Sequence, residues 1–103
     1  MRNRYLTVPK NDRGIEEYNS GSEHTENLME RVLEEVEFDT LCHERVFKQI
    51  NDRCGLMIDD YESEIISSDN ISKCIDIISA VPGSFYEMAK AAMQHNTMLC
   101  LDF

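Results

Sequence analysis

Gly55-Leu56-Met57-Ile58-Asp59-Asp60-Tyr61-Glu62-Ser63-Glu64-Ile65-Ile66 is the stretch on which the reading of this fold turns. An apolar start gives way to carboxylates with one tyrosine among them, and two isoleucines follow. As an extended strand, Met57, Asp59, Tyr61, Ser63 and Ile65 share one face, and Ile58, Asp60, Glu62, Glu64 and Ile66 share the other. Carboxylates on that second face then stand about 6.5–7 Å apart, given a rise of ~3.3 Å per residue. As a helical turn, Ile58, Tyr61 and Ile65 form a buried stripe with Asp59, Asp60, Glu62 and Glu64 around it. Periodicity leaves both open. Either way the acids are expected at the surface, because several uncompensated carboxylates cannot be buried and stay charged.

Downstream, Ser67, Ser68 and Asp69 form a cap cluster ahead of Ile71, Cys74, Ile75 and Ile78, which are spaced for a helix. Val81-Pro82-Gly83-Ser84 ends it, and Phe85, Met88, Ala89, Ala92 and Met93 predict a last helix over 84–95. Residues 98–103, Met-Leu-Cys-Leu-Asp-Phe, read as a strand that is apolar on both sides and therefore needs cover.

Upstream, Arg4-Tyr5-Leu6-Thr7-Val8 reads as a first or edge strand that stops at Pro9. The polar, glycine-containing segment 10–21 is expected to be a surface loop. A helix is expected from Ser20 or Ser22, where Ser20 and Glu23 have capping-box spacing, through Leu28, Val32, Leu33 and Val36. Its outer face would carry Glu26, Glu30, Glu34, Glu35 and Glu37. A second helix is expected from Asp39 or Thr40 to about Asn51 or Arg53, with Leu41, Cys42, Val46, Phe47 and Ile50 inward and Gly55 as its left-handed stop. The expected fold class is therefore α+β: about four helices and a small sheet that pairs the N-terminal and C-terminal strands, all within a single domain over 1–103.

Twenty acidic against ten basic residues give a formal net charge of -10. Four of the bases, Arg2, Arg4, Lys10 and Arg13, lie in the first fourteen residues, so the rest of the chain is more acidic still. Such a field repels phosphate backbones and anionic lipid, which argues against nucleic-acid and membrane partners and in favour of a cationic one. No apolar run approaches the roughly 20 residues of a membrane span, and Met1-Arg2-Asn3-Arg4-Tyr5 lacks the apolar core of a secretory leader. The expected compartment is the cytoplasm. Cys42, Cys54, Cys74 and Cys100 fit neither a Cys-x-x-Cys pattern nor a dense disulfide framework, and read as reduced thiols serving as small core hydrophobes.

Little in the chain points to catalysis. Cys42 and His43 are neighbours on one predicted helix and so point about 100° apart, which is wrong for a thiol and its base. His24, His43 and His95 are dispersed, and the acids at 59–64 lack the glycine and distal glutamate of a calcium loop. No metal, no cofactor and no enzymatic activity are expected. The acids around the tyrosine make better sense as a recognition surface, since tyrosine gives a large amphipathic contact and carboxylates accept from arginine or lysine. Asp59, Asp60, Tyr61, Glu62 and Glu64 are the candidate contact residues. The acidic helix face at Glu26, Glu30, Glu34 and Glu37 is the second candidate.

In size, in acidic α+β build, and in the phrase Phe47-Lys48-Gln49-Ile50-Asn51 followed by Ile58-Asp59-Asp60-Tyr61-Glu62-Ser63-Glu64, a capped helix and an apolar C-terminal strand, the chain resembles a known group. These are the small acidic immunity proteins that bacteria encode beside polymorphic toxins, including those of contact-dependent growth inhibition systems. The resemblance implies residence in the cytoplasm of the producing cell and tight binding to one cognate toxin domain, often a basic nuclease, whose functional surface is occluded. The alternative is a regulatory or adaptor subunit of a cytoplasmic assembly, in one version a homodimer joined through an apolar strand or helix face, a version prompted by the apolar strand at 98–103. A monomer is otherwise the simpler expectation. A small enzyme using a cysteine or a carboxylate pair comes last.

Overall fold

A computed structural model describes residues 3–103. Its frame is an antiparallel sheet of β1 (Arg4–Pro9), β2 (Leu28–Leu33), β3 (Ser63–Ser67) and β4 (Met98–Asp102), in the order β2-β1-β4-β3. The terminal strands pair as expected, with Tyr5 opposite Asp102, Leu6 opposite Leu101 and Thr7 opposite Cys100. β1 is an inner strand and not an edge, because β2 occupies its other side from Arg4–Leu33 to Pro9–Leu28. β4 is enclosed by β1 and β3, where a strand with Leu99, Cys100 and Leu101 all buried has to lie. It presents no open edge, which removes the motive for joining two copies through it.

Among the described residues five helices accompany the sheet: α1 (Asp12–Asn19), α2 (Glu35–His43), α3 (Val46–Cys54), α4 (Ser68–Ile78) and α5 (Ser84–His95). α2 to α5 cover one face, where Leu6, Val8, Ile66, Leu99 and Leu101 of the strands meet Leu41, Ile50, Ile71, Ile78, Phe85 and Met88 of the helices. Phe38, Phe47, Phe85 and Phe103 make an aromatic cluster with ring centroids 5.4–5.8 Å apart. α4 begins as its sequence dictates, the Ser67 hydroxyl accepting from the Asn70 amide at 3.2 Å. α5 also matches its expected span and ends in the left-handed Asn96.

Residues 10–43 depart from the sequence reading. The expected loop at 10–21 contains α1, capped by Asn11, whose side-chain oxygen accepts from the Gly14 amide at 2.8 Å. α1 lies on the sheet face opposite the other helices, and the Tyr18 hydroxyl donates to Asp102 at 3.2 Å. Gly14 is needed there: a Cβ would sit 2.4 Å from the Asn27 carbonyl oxygen, the same oxygen that accepts from the Lys10 amide. The helix expected from Ser20 or Ser22 to Glu37 does not form. Ser20 caps the C-terminus of α1, bonding the Glu17 carbonyl, and 28–33 extends to pair with β1. The spacing of Leu28, Val32 and Leu33 suits a helix and equally a strand with Leu28 and Val32 on one face and Leu33 on the other. The six-residue ladder decides between them, as long-range pairing often overrides weak local propensity. The single helix expected over 39–53 is two, broken at Arg45, which is left-handed at φ 59°. Val36 and Cys42, expected in the core, are exposed. Gly55 ends α3 in the left-handed conformation its position predicts.

Candidate functional site

Arg4 organises the region to which the sequence pointed. Leu6 and Val8 carry β1 into the core on the same side, so Arg4 enters beneath α2 with its side chain only 9% exposed. Its guanidinium lies 3.7 Å from the centroid of the Phe38 ring. It donates to both Asp60 oxygens, Nε at 2.9 Å and Nη2 at 2.8 Å, and through Nη1 to Glu35. The two-pronged bond to Asp60, more than any other contact, raises the arginine pKa, while burial works against it. No signal in the sequence linked Arg4 to Asp60, because the two are 56 residues apart and each suits a solvated surface equally well.

The connection between α3 and β3 is neither a long strand nor a helical turn. It is an irregular loop, with the strand starting only at Ser63. Contacts with the rest of the fold hold it along its length. The Asn51 side chain accepts from the Ile58 amide at 2.7 Å and donates to the Ile58 carbonyl at 3.0 Å. Glu64 accepts from the Met57 amide at 3.1 Å, Arg4 clasps Asp60, and the Phe103 amide donates to the Glu62 carbonyl at 3.2 Å. Ile58 is buried, while Met57 and Tyr61 are 81% and 79% exposed. Tyr61 has φ 67°, a left-handed conformation that costs a bulky residue roughly 1–3 kcal/mol. The surrounding contacts offset that cost and direct the ring outward.

The predicted contact acids therefore divide. Asp59 and Glu62 are exposed beside Tyr61. Asp60 and Glu64, also expected at the surface, are half-buried and bind the loop together. The second predicted set does not form a face, since the helix that would have aligned it is absent. Glu26 lies in the loop before β2, and Glu34 is exposed at the start of α2. Glu30 points from β2 across the sheet and accepts from the amide and ring Nδ1 of His24. Glu37 accepts from the amides of Ser84 and Phe85 at 3.0 and 2.9 Å, capping α5, whose own cap residue is Gly83.

Two concavities flank these groups. A cleft of about 320 Å3 lies between α2, α3 and the loop, with Phe38, Cys42, Lys48, Asp59, Asp60 and Phe103 on its walls. A cavity of about 380 Å3 on the α1 side is lined by Tyr5, Tyr18, His24, Glu30 and Asp102. Asp102 there accepts from Tyr18 and from Ser63, and Glu30 from His24, so these acids engage groups of the chain itself. Among the described residues no three His, Cys, Asp or Glu side chains converge as metal ligands, and no helix is long and apolar enough to cross a membrane. No protein-family model matches the chain, and no curated protein or solved structure matches it.

Proposed function

We propose that this chain is an acidic inhibitory binding protein that neutralises a basic protein partner of the toxin type, residing in the cytoplasm of the cell that makes both. One observation carries the reading: Tyr61 stands four-fifths exposed in a left-handed backbone on a loop fixed from below, with Met57 equally exposed and Asp59 and Glu62 alongside. A loop already ordered in the free protein loses little entropy on binding, which favours tight association. Tyrosine is among the residues that dominate interface energetics when it fills a partner's pocket, and methionine adapts to irregular apolar surfaces. The exposed carboxylates and the net charge of -10 would speed encounter with a basic partner. Asp60 and Glu64 serve this surface as anchors of the loop.

The test uses a basic protein that co-purifies with this chain, or a basic domain if one is found encoded beside it. Tyr61→Ala should weaken binding by roughly 30-fold or more, chiefly through faster dissociation. Charge reversal at Asp59 and Glu62 together should slow association and flatten its salt dependence while the thermal midpoint stays nearly constant. Unaltered kinetics in both variants would remove the loop from the interface.

A further inference from the structure

Cys54, the last residue of α3, and Cys74, in the middle of α4, bring their sulfurs to 3.1 Å across the helix–helix contact. The pair is 20 residues apart in sequence and gives no Cys-x-x-Cys signal. Arg53 holds the two helices in register beside it, donating from Nη1 to Asp76 at 2.7 Å and to the Lys73 carbonyl at 2.8 Å. Cys54 is half-buried, and Cys74 is fully buried. The chain between them, from Gly55 to Lys73, contains the whole Tyr61 loop and β3.

The geometry points to a reversible disulfide between Cys54 and Cys74, formed by exchange with a small-molecule disulfide, which closes a covalent ring around the Tyr61 loop. The more accessible Cys54 loses its proton to solvent and its thiolate attacks one sulfur of the oxidant. The oxidant's S–S bond breaks, one thiolate departs, and a mixed disulfide remains on Cys54. The Cys74 sulfur, already in contact, gives up its proton and attacks the Cys54 sulfur, so that the mixed bond breaks and the second thiolate leaves. Two protein thiols are oxidised, and one small disulfide is reduced to two thiols. Burial and the adjacent Cys54 sulfur push the Cys74 thiol up to about 11, which keeps it protonated and leaves the first attack to Cys54; the 3.1 Å sulfur contact is what lets Cys74 complete the second, intramolecular step. In a reducing compartment the pair stays open and closes only when the thiol poise becomes oxidising. The bond is independent of the binding proposal, whereas its regulatory meaning, a stiffer contact loop, rests on that proposal.

The full chain is incubated with oxidised glutathione, quenched by alkylation, and analysed by intact mass and peptide mapping. The expected result is a monomer lighter by two hydrogens, with two alkylated cysteines in place of four and one cross-linked peptide pair containing Cys54 and Cys74. The thermal midpoint should rise by on the order of 10 °C. Amide exchange at residues 56–62 should slow several-fold without any partner present. Cys74→Ser should trap glutathione on Cys54, while Cys54→Ser should leave Cys74 unmodified. Four alkylated cysteines in the treated wild type, or a link through Cys42 or Cys100, would overturn the proposal. A Cys54–Cys74 bond with unchanged exchange at 56–62 would overturn the regulatory part alone, and failure of partner binding would bear on neither readout.

Discussion

Replacing Arg4 by methionine keeps much of the apolar stem over Phe38 and removes the guanidinium. Stripping one member from a fully buried ion pair costs roughly 3–5 kcal/mol, mostly because the other charge is stranded. Here the arginine is 9% exposed but its partners are less enclosed, at 26% for Asp60 and 47% for Glu35. Water can partly resolvate Asp60, reducing that contribution to about 2 kcal/mol, and Glu35 contributes little. Loss of the cation over the Phe38 ring adds about 0.5–1 kcal/mol. The total is near 3 kcal/mol, a fall in thermal midpoint of roughly 12–24 °C for a domain of this size. Urea unfolding followed by circular dichroism measures it. Arg4→Lys should fall between the two, since an ammonium cannot make the two-pronged bond. Arg4→Met combined with Asp60→Leu should cost less than the sum of the single changes by about 2 kcal/mol, because each single change already removes the Arg4–Asp60 interaction. A cost for Arg4→Met under about 0.5 kcal/mol, or strict additivity with Asp60→Leu, would refute the assignment of Arg4 as the anchor of the loop.

Gly14→Ala places a methyl 2.4 Å from a backbone oxygen that cannot withdraw without breaking its bond to Lys10, so a loss of about 2–4 kcal/mol is expected in the same unfolding assay. Stability should also depend on pH at the alkaline end. Burial pushes the Cys100 thiol from 9.0 up to about 12, so the unfolded chain ionises first and stability falls as pH rises through that window. Urea midpoints measured across it should decline, and Cys100→Ala should flatten the decline. An unchanged slope in that variant would exclude Cys100 as its source.

The parts of the fold legible in the sequence are those whose signals are local. Ser67 before Ile71, Cys74 and Ile78 could only start a helix, and Val81-Pro82-Gly83 could only interrupt one. The apolar run at 98–103 demanded cover, and Gly55 marked a helix end. Where local signals were balanced, the reading failed. Ser20 and Glu23 have the spacing of a helix start, yet Ser20 is spent closing α1. Leu28, Val32 and Leu33 suit either period, and only the free side of β1 selects the strand. Asn11 was a cap in plain view, but the helix it starts is short and polar, so it did not stand out from a loop.

The candidate site divides in the same way. Sequence alone determined its chemistry: a net charge of -10, a tyrosine set among carboxylates, and a position between a glycine-stopped helix and a serine-capped one. Charge and local caps are sums over neighbouring residues, so they can be read without coordinates. Tertiary structure alone decided which acids stand in solvent and which serve the fold. Asp60 turns inward because Arg4 arrives from the far end of the chain, Glu37 is diverted to the start of α5, and Cys54 meets Cys74 across two helices. Each of these depends on where a distant segment packs, and the residues themselves are equally suited to water.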